Sequence, residues 1–146
     1  MTVKIPRPTE LAEAEASELP AFFGYLGMTV LAAEADEVCV RMTVPEGLYS
    51  PYGMVHGGAI AALIDTAFGI AVARQLDAGS RTATHELNIN YISFSRGPTL
   101  LCRARVLRLG QAVASVEGDV INEPSGALIA KALATFGVFR DRRRSA

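Results

Sequence analysis

Two features of residues 55–76 could do chemistry: a pair of glycines and a single carboxylate. Gly57 and Gly58 begin a run in which Asp65 is the only charged residue before Arg74. Backbone N–H groups at the start of a helix lack an intrahelical acceptor and lie at the positive end of the helix dipole. Because glycine carries no Cβ, a carbonyl oxygen can approach such groups without hindrance. The glycine pair could therefore polarise a carbonyl group.

Asp65 lies inside this apolar run, and its carboxylate needs an explanation. Burial disfavours the charged form of a carboxyl group unless a partner compensates for the lost solvation. The residue could act as a general base or a nucleophile, or it could be a structural carboxylate that caps or bonds to neighbouring backbone. The nearby Gly57-Gly58 pair favours the functional interpretation.

The two histidines of the chain allow more than one interpretation. His56 precedes the glycines, where it could contact a ligand, cap the helix or bond to the loop of residues 48–55. His85, beside Glu86 on a predicted strand, is expected to face solvent or an interface. No Ser, Cys or His constellation resembling a nucleophilic triad is visible, and no glycine loop of the Walker or dinucleotide type. We therefore expect no bound cofactor.

A helix over residues 57–76 is predicted to carry the glycines and the carboxylate. Its length and its many Ala and Leu residues favour a helix over a strand. A helix that is apolar on every side is expected to be buried on every side. The run is at the short limit for a membrane span and contains glycines and Asp65, so we interpret it as a core helix.

Six strands are predicted around this helix from apolar runs that alternate with a period of two or lie between turn residues. They span residues 28–33, 38–44, 81–95, 99–109, 112–122 and 127–139. In the 81–95 strand, one face is expected to carry Leu87, Ile89 and Tyr91. The other face is expected to carry Thr84, Glu86, Asn88 and Asn90. The apolar face changes at Ile92 and Phe94, which predicts a bulge or a bend there.

One antiparallel sheet of five or six strands wrapped round a single buried helix is an α+β architecture. We expect a single domain over residues 28–139, with an N-terminal arm and short helix at 1–27 and a basic tail at 140–146. The composition of residues 10–19 favours a surface helix. The apolar cluster at residues 22–26 predicts a helix packed on the main fold. A second copy would cover the free edges and outer face of the sheet. We therefore expect a homodimer, and two dimers could pair into a tetramer.

Composition excludes several classes of partner and site. The net charge is −1 and 20% of the residues are charged, so no field attracts nucleic acid or an anionic membrane. Cys39 and Cys102 lie in apolar segments without metal-ligand spacing, which predicts reduced thiols in an intracellular protein and no metal site. No apolar segment typical of a signal peptide follows the N terminus, so a cytoplasmic location is expected.

Three features of the sequence occur together. They are Val55-His56-Gly57-Gly58, an Asp65 eight residues beyond Gly57, and the strand Leu87-Asn88-Ile89-Asn90-Tyr91-Ile92-Ser93. In this combination the chain resembles the acyl-CoA thioesterases of the hot-dog fold, specifically their phenylacetate-pathway-like subfamily. The resemblance covers residues 28–139. It implies a hot-dog fold and an enzyme that hydrolyses an acyl-CoA with a small, medium-chain or aromatic acyl group to free acid and coenzyme A.

The resemblance also implies roles for individual residues. Asp65 would be the general base or nucleophile, the Gly57 N–H would bind the oxyanion, and Thr84 would help to place the water or the thioester. Ser50 stands where similar thioesterases commonly have an Asn, and a hydroxyl lacks the paired donor and acceptor of an amide. That departure affects rate and substrate preference more than reaction class. The other substrate-binding residues would be His56, Gly58, Asn90 and Arg96, the last of these near the phosphates of coenzyme A.

The spacing of Gly57 and Asp65 has a consequence for the oligomer. At 1.5 Å per residue, the eight residues between them span roughly 12 Å along one helix, so one helix cannot bring both groups to the same atom. Two helices running antiparallel across a two-fold axis would place Gly57 of one subunit near Asp65 of the other. The spacing therefore predicts a site shared at a dimer interface, which agrees with the family, in which two subunits build the site.

Two other functions stay open at this level. A hot-dog hydratase or dehydratase of acyl thioesters usually pairs a His with an acid across the site, and this chain has two His. A non-catalytic acyl-CoA-binding module would bind its ligand without turnover. For an enzyme, the thioester could be carried by coenzyme A or by a carrier protein.

Overall fold

The computed structural model of the chain describes residues 21–33 and 37–140. Within these residues, two helices and six strands follow one another in the predicted order, with a short 3₁₀ helix at Glu46–Leu48. The helices are α1 (Ala21–Tyr25) and α2 (Gly57–Ala73). The strands are β1 (Met28–Ala33), β2 (Glu37–Thr43), β3 (Arg81–Tyr91), β4 (Thr99–Leu109), β5 (Val113–Asn122) and β6 (Leu128–Phe139).

The six strands form one antiparallel sheet in the order β1-β2-β4-β5-β6-β3. Helix α2 packs on one face of this sheet, against strands β2 to β6. Its fully buried Leu63, Phe68 and Val72 share one apolar core with sheet residues such as Leu100 and Phe136. The predicted α+β architecture, one sheet wrapped round one long helix, is confirmed.

Helix α2 is shorter and less enclosed than predicted. It ends at Ala73 instead of residue 76, because the N–H groups of Gln75 and Leu76 donate to carbonyls three residues back and the chain tightens into a turn. Within one chain its burial is one-sided. The sheet covers one side of the helix, while Asp65, Gly69 and their neighbours on the opposite side are only half-buried. The expected burial on every side is therefore wrong for the single chain.

Strand β3 departs from the predicted 81–95 strand at two points. It ends at Tyr91, because the N–H groups of Ile92 and Ser93 both donate to the Ile129 carbonyl (2.8 and 3.2 Å) and the chain leaves the ladder. The predicted bulge or bend at Ile92 and Phe94 is confirmed, because the chain bends at Ser93 and two consecutive N–H groups share the Ile129 carbonyl. A second irregularity, at His85, was not predicted.

The free edge of the sheet next to the helix is β3, which pairs with β6 on its one occupied side. All 11 of its residues are exposed or half-buried. A long strand with an unpaired row of N–H and C=O groups readily accepts another strand. In the single chain this edge is left without a pairing strand.

Both cysteines are free thiols buried in the sheet. Burial raises the pKa of Cys39 to about 11, and it raises the pKa of Cys102 well above its ordinary value. Both thiols therefore stay protonated and unreactive at neutral pH.

On the outward face of the sheet, Arg41 donates a hydrogen bond from Nε to the Glu123 carboxylate (2.8 Å). This hydrogen bond lowers the pKa of the Glu123 carboxyl.

Some predicted segments lie outside the described residues, namely the surface helix at 10–19 and the tail beyond Arg140. Arg140 itself donates to the carbonyls of Gly110 and Gln111 (3.2 and 3.3 Å). The helix predicted from the apolar cluster at 22–26 is present as α1, whose Phe23 packs against the core. Within residues 21–33 and 37–140, no helix is both long and apolar enough to cross a membrane.

Candidate active site

His56 caps the start of α2, with extended backbone dihedrals (φ −62°, ψ 135°). Its Nδ1 accepts a hydrogen bond from the Gly58 N–H (2.9 Å), and its carbonyl accepts from the N–H groups of Ala59 and Ile60. Because Nδ1 is an acceptor it carries no proton, so in the neutral ring the proton is on Nε2, which is then a donor. Of the alternatives for His56, the structure shows both the cap and a bond to the loop of residues 48–55, because the His56 N–H donates to the Leu48 carbonyl (2.8 Å).

Gly57 is the first residue of α2, and its N–H has no acceptor among the described residues. The N–H of Gly58 is already occupied by the His56 cap. Of the glycine pair, Gly57 is therefore the residue that offers an open donor at the positive end of the helix dipole. Such a donor can bind a carbonyl oxygen and stabilise negative charge that develops on it.

Tyr91, at the end of β3, holds Gly57 in place. Its hydroxyl donates to the Gly57 carbonyl (2.8 Å), and a Cβ on Gly57 would lie 3.6 Å from its ring. Partial burial raises the pKa of Tyr91, so the phenol keeps its proton at neutral pH. In the sequence, Tyr91 is part of the strand that resembles the thioesterase family, but no role was predicted for it. The contact depends on how closely β3 approaches the start of α2, which strand alternation does not reveal.

A cavity of about 420 Å³ lies beside Gly57. Its lining includes Ser50, Tyr52, His56, Tyr91 and Phe94. Ser50 shapes the loop at this cavity, since its N–H donates to the Met54 carbonyl (2.6 Å) and its Oγ accepts from the Tyr52 N–H (3.3 Å). We call Ser50, His56, Gly57 and Tyr91 the N-terminal half-site.

Asp65 and Thr84 meet further along the helix. The Thr84 hydroxyl donates to Asp65 Oδ1 (2.6 Å), and both residues line a second cavity of about 520 Å³. Asp65 is half-buried and Thr84 is exposed, so the carboxylate reaches solvent while one of its oxygens is held. We call this pair the carboxylate half-site. A carboxylate held in this way can take a proton from water or attack a carbonyl carbon.

The structure corrects the predicted face of Thr84. Thr84 lies opposite Phe136 and Leu87 opposite Ala134, and both partners are core residues of β6. Paired residues point to the same face of a sheet, so Thr84 shares the helix-facing side with Leu87. The prediction that Thr84 lies on the face of Glu86 is wrong, because the extra residue at 85 reverses the alternation.

The structure does not bring every predicted site residue together. Asn90 lies opposite Lys131 on the outward face of the sheet, away from both half-sites. Arg96 lies beside the N-terminal half-site: its Nη1 is 3.5 Å from the Tyr52 carbonyl, and its guanidinium is 5.8 Å from the centre of the Phe94 ring. Within one chain, the two half-sites are separated by eight residues of α2, or about 12 Å.

Comparison with known proteins decides the family. The thioesterase superfamily matches residues 52–129, a stretch that includes Gly57, Asp65 and Thr84. The chain belongs to the thioesterase superfamily. It is a thioester hydrolase, and the resemblance drawn from the glycine pair and the carboxylate is confirmed at this level.

Similar proteins agree with this assignment. A provisionally named esterase of Halobacterium salinarum is 36% identical to this thioesterase, over 80% of this chain and 83% of its own. Acyl-coenzyme A thioesterase 13 of Mus musculus is 28% identical over 71% and 74% of the two chains.

Solved structures agree in fold. A thioesterase of Haemophilus influenzae matches with a TM-score of 0.82 and 22% identity, over 94% of this chain and 96% of its own. The PaaI protein of E. coli, from the phenylacetic acid degradation operon, matches with a TM-score of 0.77 and 21% identity over 87% and 90%. At these identities the likeness concerns the fold, and it confirms the hot-dog fold for this thioesterase.

Proposed function

We propose that this thioesterase hydrolyses an acyl-CoA to a free acid and coenzyme A in a site shared by two subunits. The placement of the two half-sites on one helix carries the proposal. Gly57 offers an open N–H, while Asp65, held by Thr84, lies about 12 Å further along α2. Thioester hydrolysis needs both a polarised carbonyl and an activated nucleophile at the same carbon. Neither half-site has both.

A second copy of the chain would supply the missing half. Two α2 helices packed antiparallel about a two-fold axis would bring Gly57 of one subunit to Asp65 of the other. The half-buried face of α2 carries small residues such as Ala61, Ala62 and Gly69, which permit close approach of another helix. The neighbouring β3 edge, which carries Thr84 and Tyr91, is free to pair with its own copy.

The chemistry follows from the groups that would meet. The thioester carbonyl oxygen accepts the Gly57 N–H of one subunit, and the helix dipole stabilises its developing charge. Asp65 of the other subunit takes a proton from water as the water oxygen bonds to the carbonyl carbon. The C–S bond then breaks, and the departing thiolate takes up the proton. Alternatively, Asp65 attacks the carbon itself and water opens the resulting anhydride. In either route Thr84 fixes Oδ1 and so orients the carboxylate.

The acyl group is expected to occupy the cavity of the carboxylate half-site. Beyond Asp65 and Thr84 this cavity is lined mainly by apolar side chains, including Phe23, Ile70 and Phe136. Such a lining suits a small, medium-chain or aromatic acyl group. The names of the mouse acyl-coenzyme A thioesterase and of the E. coli protein of phenylacetic acid degradation support the same class. Likeness to the latter also supports the phenylacetate-pathway-like subfamily.

Two further features belong to the proposal. Arg96, which lies beside the other cavity, would meet the phosphates of coenzyme A, since a guanidinium binds phosphate through paired hydrogen bonds. A cytoplasmic location agrees with the free thiols of Cys39 and Cys102. The names of the relatives favour hydrolysis over the hydratase and binding-module alternatives.

The reaction class is tested with a panel of acyl-CoAs from acetyl to long-chain, including phenylacetyl-CoA and benzoyl-CoA. Thiol release that disappears in an Asp65→Asn variant is the expected result. If no acyl-CoA in the panel releases thiol, the proposal is contradicted. A carrier-protein thioester assayed in parallel tests the choice of carrier, because faster turnover of that substrate would make the coenzyme A assignment wrong.

The shared site is tested by combining two damaged subunits. Asp65→Asn and Gly57→Pro homodimers are each expected to be at least about a hundredfold less active than the parent homodimer. In a heterodimer isolated with two different tags, one of the two sites joins an intact Gly57 to an intact Asp65, so activity should return. If each site instead lay within one chain, both sites of the heterodimer would be damaged and it would stay inactive.

Replacing Phe23 by Ala is expected to shift the preference toward longer acyl chains. The Phe23 side chain lines the acyl cavity from α1, and its removal enlarges the apolar space without touching Asp65 or Thr84. We expect kcat/KM for long chains to rise about tenfold relative to acetyl-CoA, measured across the panel. Phe22→Ala is the matched control, because Phe22 is 55% exposed and does not line the cavity. An unchanged profile in Phe23→Ala would show that the acyl group lies elsewhere.

A further inference from the structure

Strand β3 carries one residue more than its partner strand where it passes Asp65. The pairing steps from Thr84 opposite Phe136 to Glu86 opposite Thr135, so His85 has no opposite residue in β6. Because strand side chains alternate between faces, one inserted residue reverses the faces on one side of the bulge. Without the insertion, Thr84 would share the outward face with Glu86, and its hydroxyl could not reach the Asp65 carboxylate.

The inserted residue is seated on a glycine. The His85 ring lies over Gly137 on the outward face of the sheet, where a Cβ on residue 137 would be 2.7 Å from Cε1 of the ring and closer still to Nε2. The edge of the ring also packs against Phe139, with the two centroids 6.4 Å apart and the planes at 77°. Gly137 is held in turn, because the Thr82 hydroxyl donates to its carbonyl (2.9 Å). A residue with a side chain at 137 would leave no room for the ring.

From this geometry we propose that His85 and Gly137 are a positioning pair for the Asp65–Thr84 contact. The ring, seated on the glycine and against Phe139, holds the bulge that turns Thr84 toward Asp65. The pair lies on the opposite side of the sheet from the carboxylate, so it acts through Thr84 and does not touch the substrate. The inference rests on the proposed function, since its main effect is measured as turnover of an acyl-CoA.

The test changes each member of the pair. Gly137→Ala places a methyl group where the ring lies, and His85→Ala removes the ring. In both variants kcat should fall about tenfold with little change in KM, because small displacements of a positioning group are costly in turnover. His85→Phe keeps a flat ring over the glycine and should restore most of the lost kcat. Gly47→Ala is the matched glycine control, since a Cβ there meets no atom within 4 Å.

A second background separates positioning from a merely structural role. In a Thr84→Val protein the hydroxyl is already absent, so Gly137→Ala and His85→Ala should lower kcat no further. Losses of the same size in both backgrounds would overturn the inference. So would an unchanged kcat in the single variants.

A crystal structure of Gly137→Ala supplies a readout that does not depend on turnover. The Thr84 hydroxyl, 2.6 Å from Asp65 Oδ1 in the parent protein, should move beyond hydrogen-bonding distance. An unchanged contact would overturn the positioning role, even if the acyl-CoA panel showed that the reaction is a different one. Absence of any acyl-CoA turnover in the parent protein would overturn the proposed function instead.

Discussion

Replacement of Asp65 by Asn is expected to lower kcat for acyl-CoA hydrolysis by roughly a thousandfold. Asn has the same shape, and its Oδ1 can still accept the hydrogen bond that Thr84 donates in the parent protein. Its amide, however, can neither take a proton from water nor attack a carbonyl carbon. The loss should therefore be in the chemical step, and it is measured as thiol release at saturating substrate.

Two controls accompany this variant. Asp77→Asn removes the same charge from a residue that is 84% exposed and outside both half-sites, and it should leave kcat unchanged. The melting temperature of Asp65→Asn should stay close to that of the parent protein, because the contact with Thr84 is preserved. Full turnover in Asp65→Asn would show that the carboxylate is structural, the alternative that the sequence left open.

Replacement of Gly57 by Pro is expected to lower kcat about a hundredfold or more, the usual cost of losing one oxyanion donor. Proline deletes the N–H, and it is well tolerated as the first residue of a helix, where no intrahelical bond is lost. His56 already has the extended dihedrals that a residue before proline adopts. The helix should therefore persist while its open donor disappears. Steady-state kinetics with an unchanged far-UV circular dichroism spectrum checks this.

Gly57→Ala is the matched control for the proline variant. Alanine keeps the N–H, and its Cβ would lie 3.6 Å from the Tyr91 ring, an ordinary contact distance. Its loss of kcat should be much smaller than that of Gly57→Pro. Equal losses in the two variants would mean that space beside Tyr91, and not the N–H, is what the reaction requires.

The fold was largely predictable because burial imposes simple patterns. A long apolar run with good helix formers becomes the helix that the sheet encloses, and two-residue alternation identifies the strands. Two of the departures from the predicted fold could not be inferred from these patterns. The end of β3 at Tyr91 depends on hydrogen bonds to Ile129, and the half-exposed face of α2 depends on how far one sheet can wrap. Both depend on contacts between segments that are distant in the sequence, and local patterns do not encode such contacts.

The candidate site likewise combines features that the sequence predicts with features that depend on distant contacts. Asp65 and Gly57 were identifiable because a lone charge and a glycine pair are conspicuous in an apolar helix, and the structure places both in cavities. Thr84 was chosen from a family resemblance while its face was predicted wrongly. The missing signal was the inserted His85, which fits only because residue 137, more than 50 positions later, is a glycine.

By itself, then, the sequence determined the α+β architecture and the helix with its donor and carboxylate. It also determined the eight-residue spacing of Gly57 and Asp65, roughly 12 Å along the helix, which argues for two subunits. Tertiary structure alone decided which N–H stays open, since the His56 side chain takes that of Gly58. It also decided that Tyr91 holds Gly57 and that Thr84 reaches Asp65. The physical reason is that helix and strand periodicities are local, whereas hydrogen bonds between α2 and β3 depend on register and on a bulge set by contacts between strands.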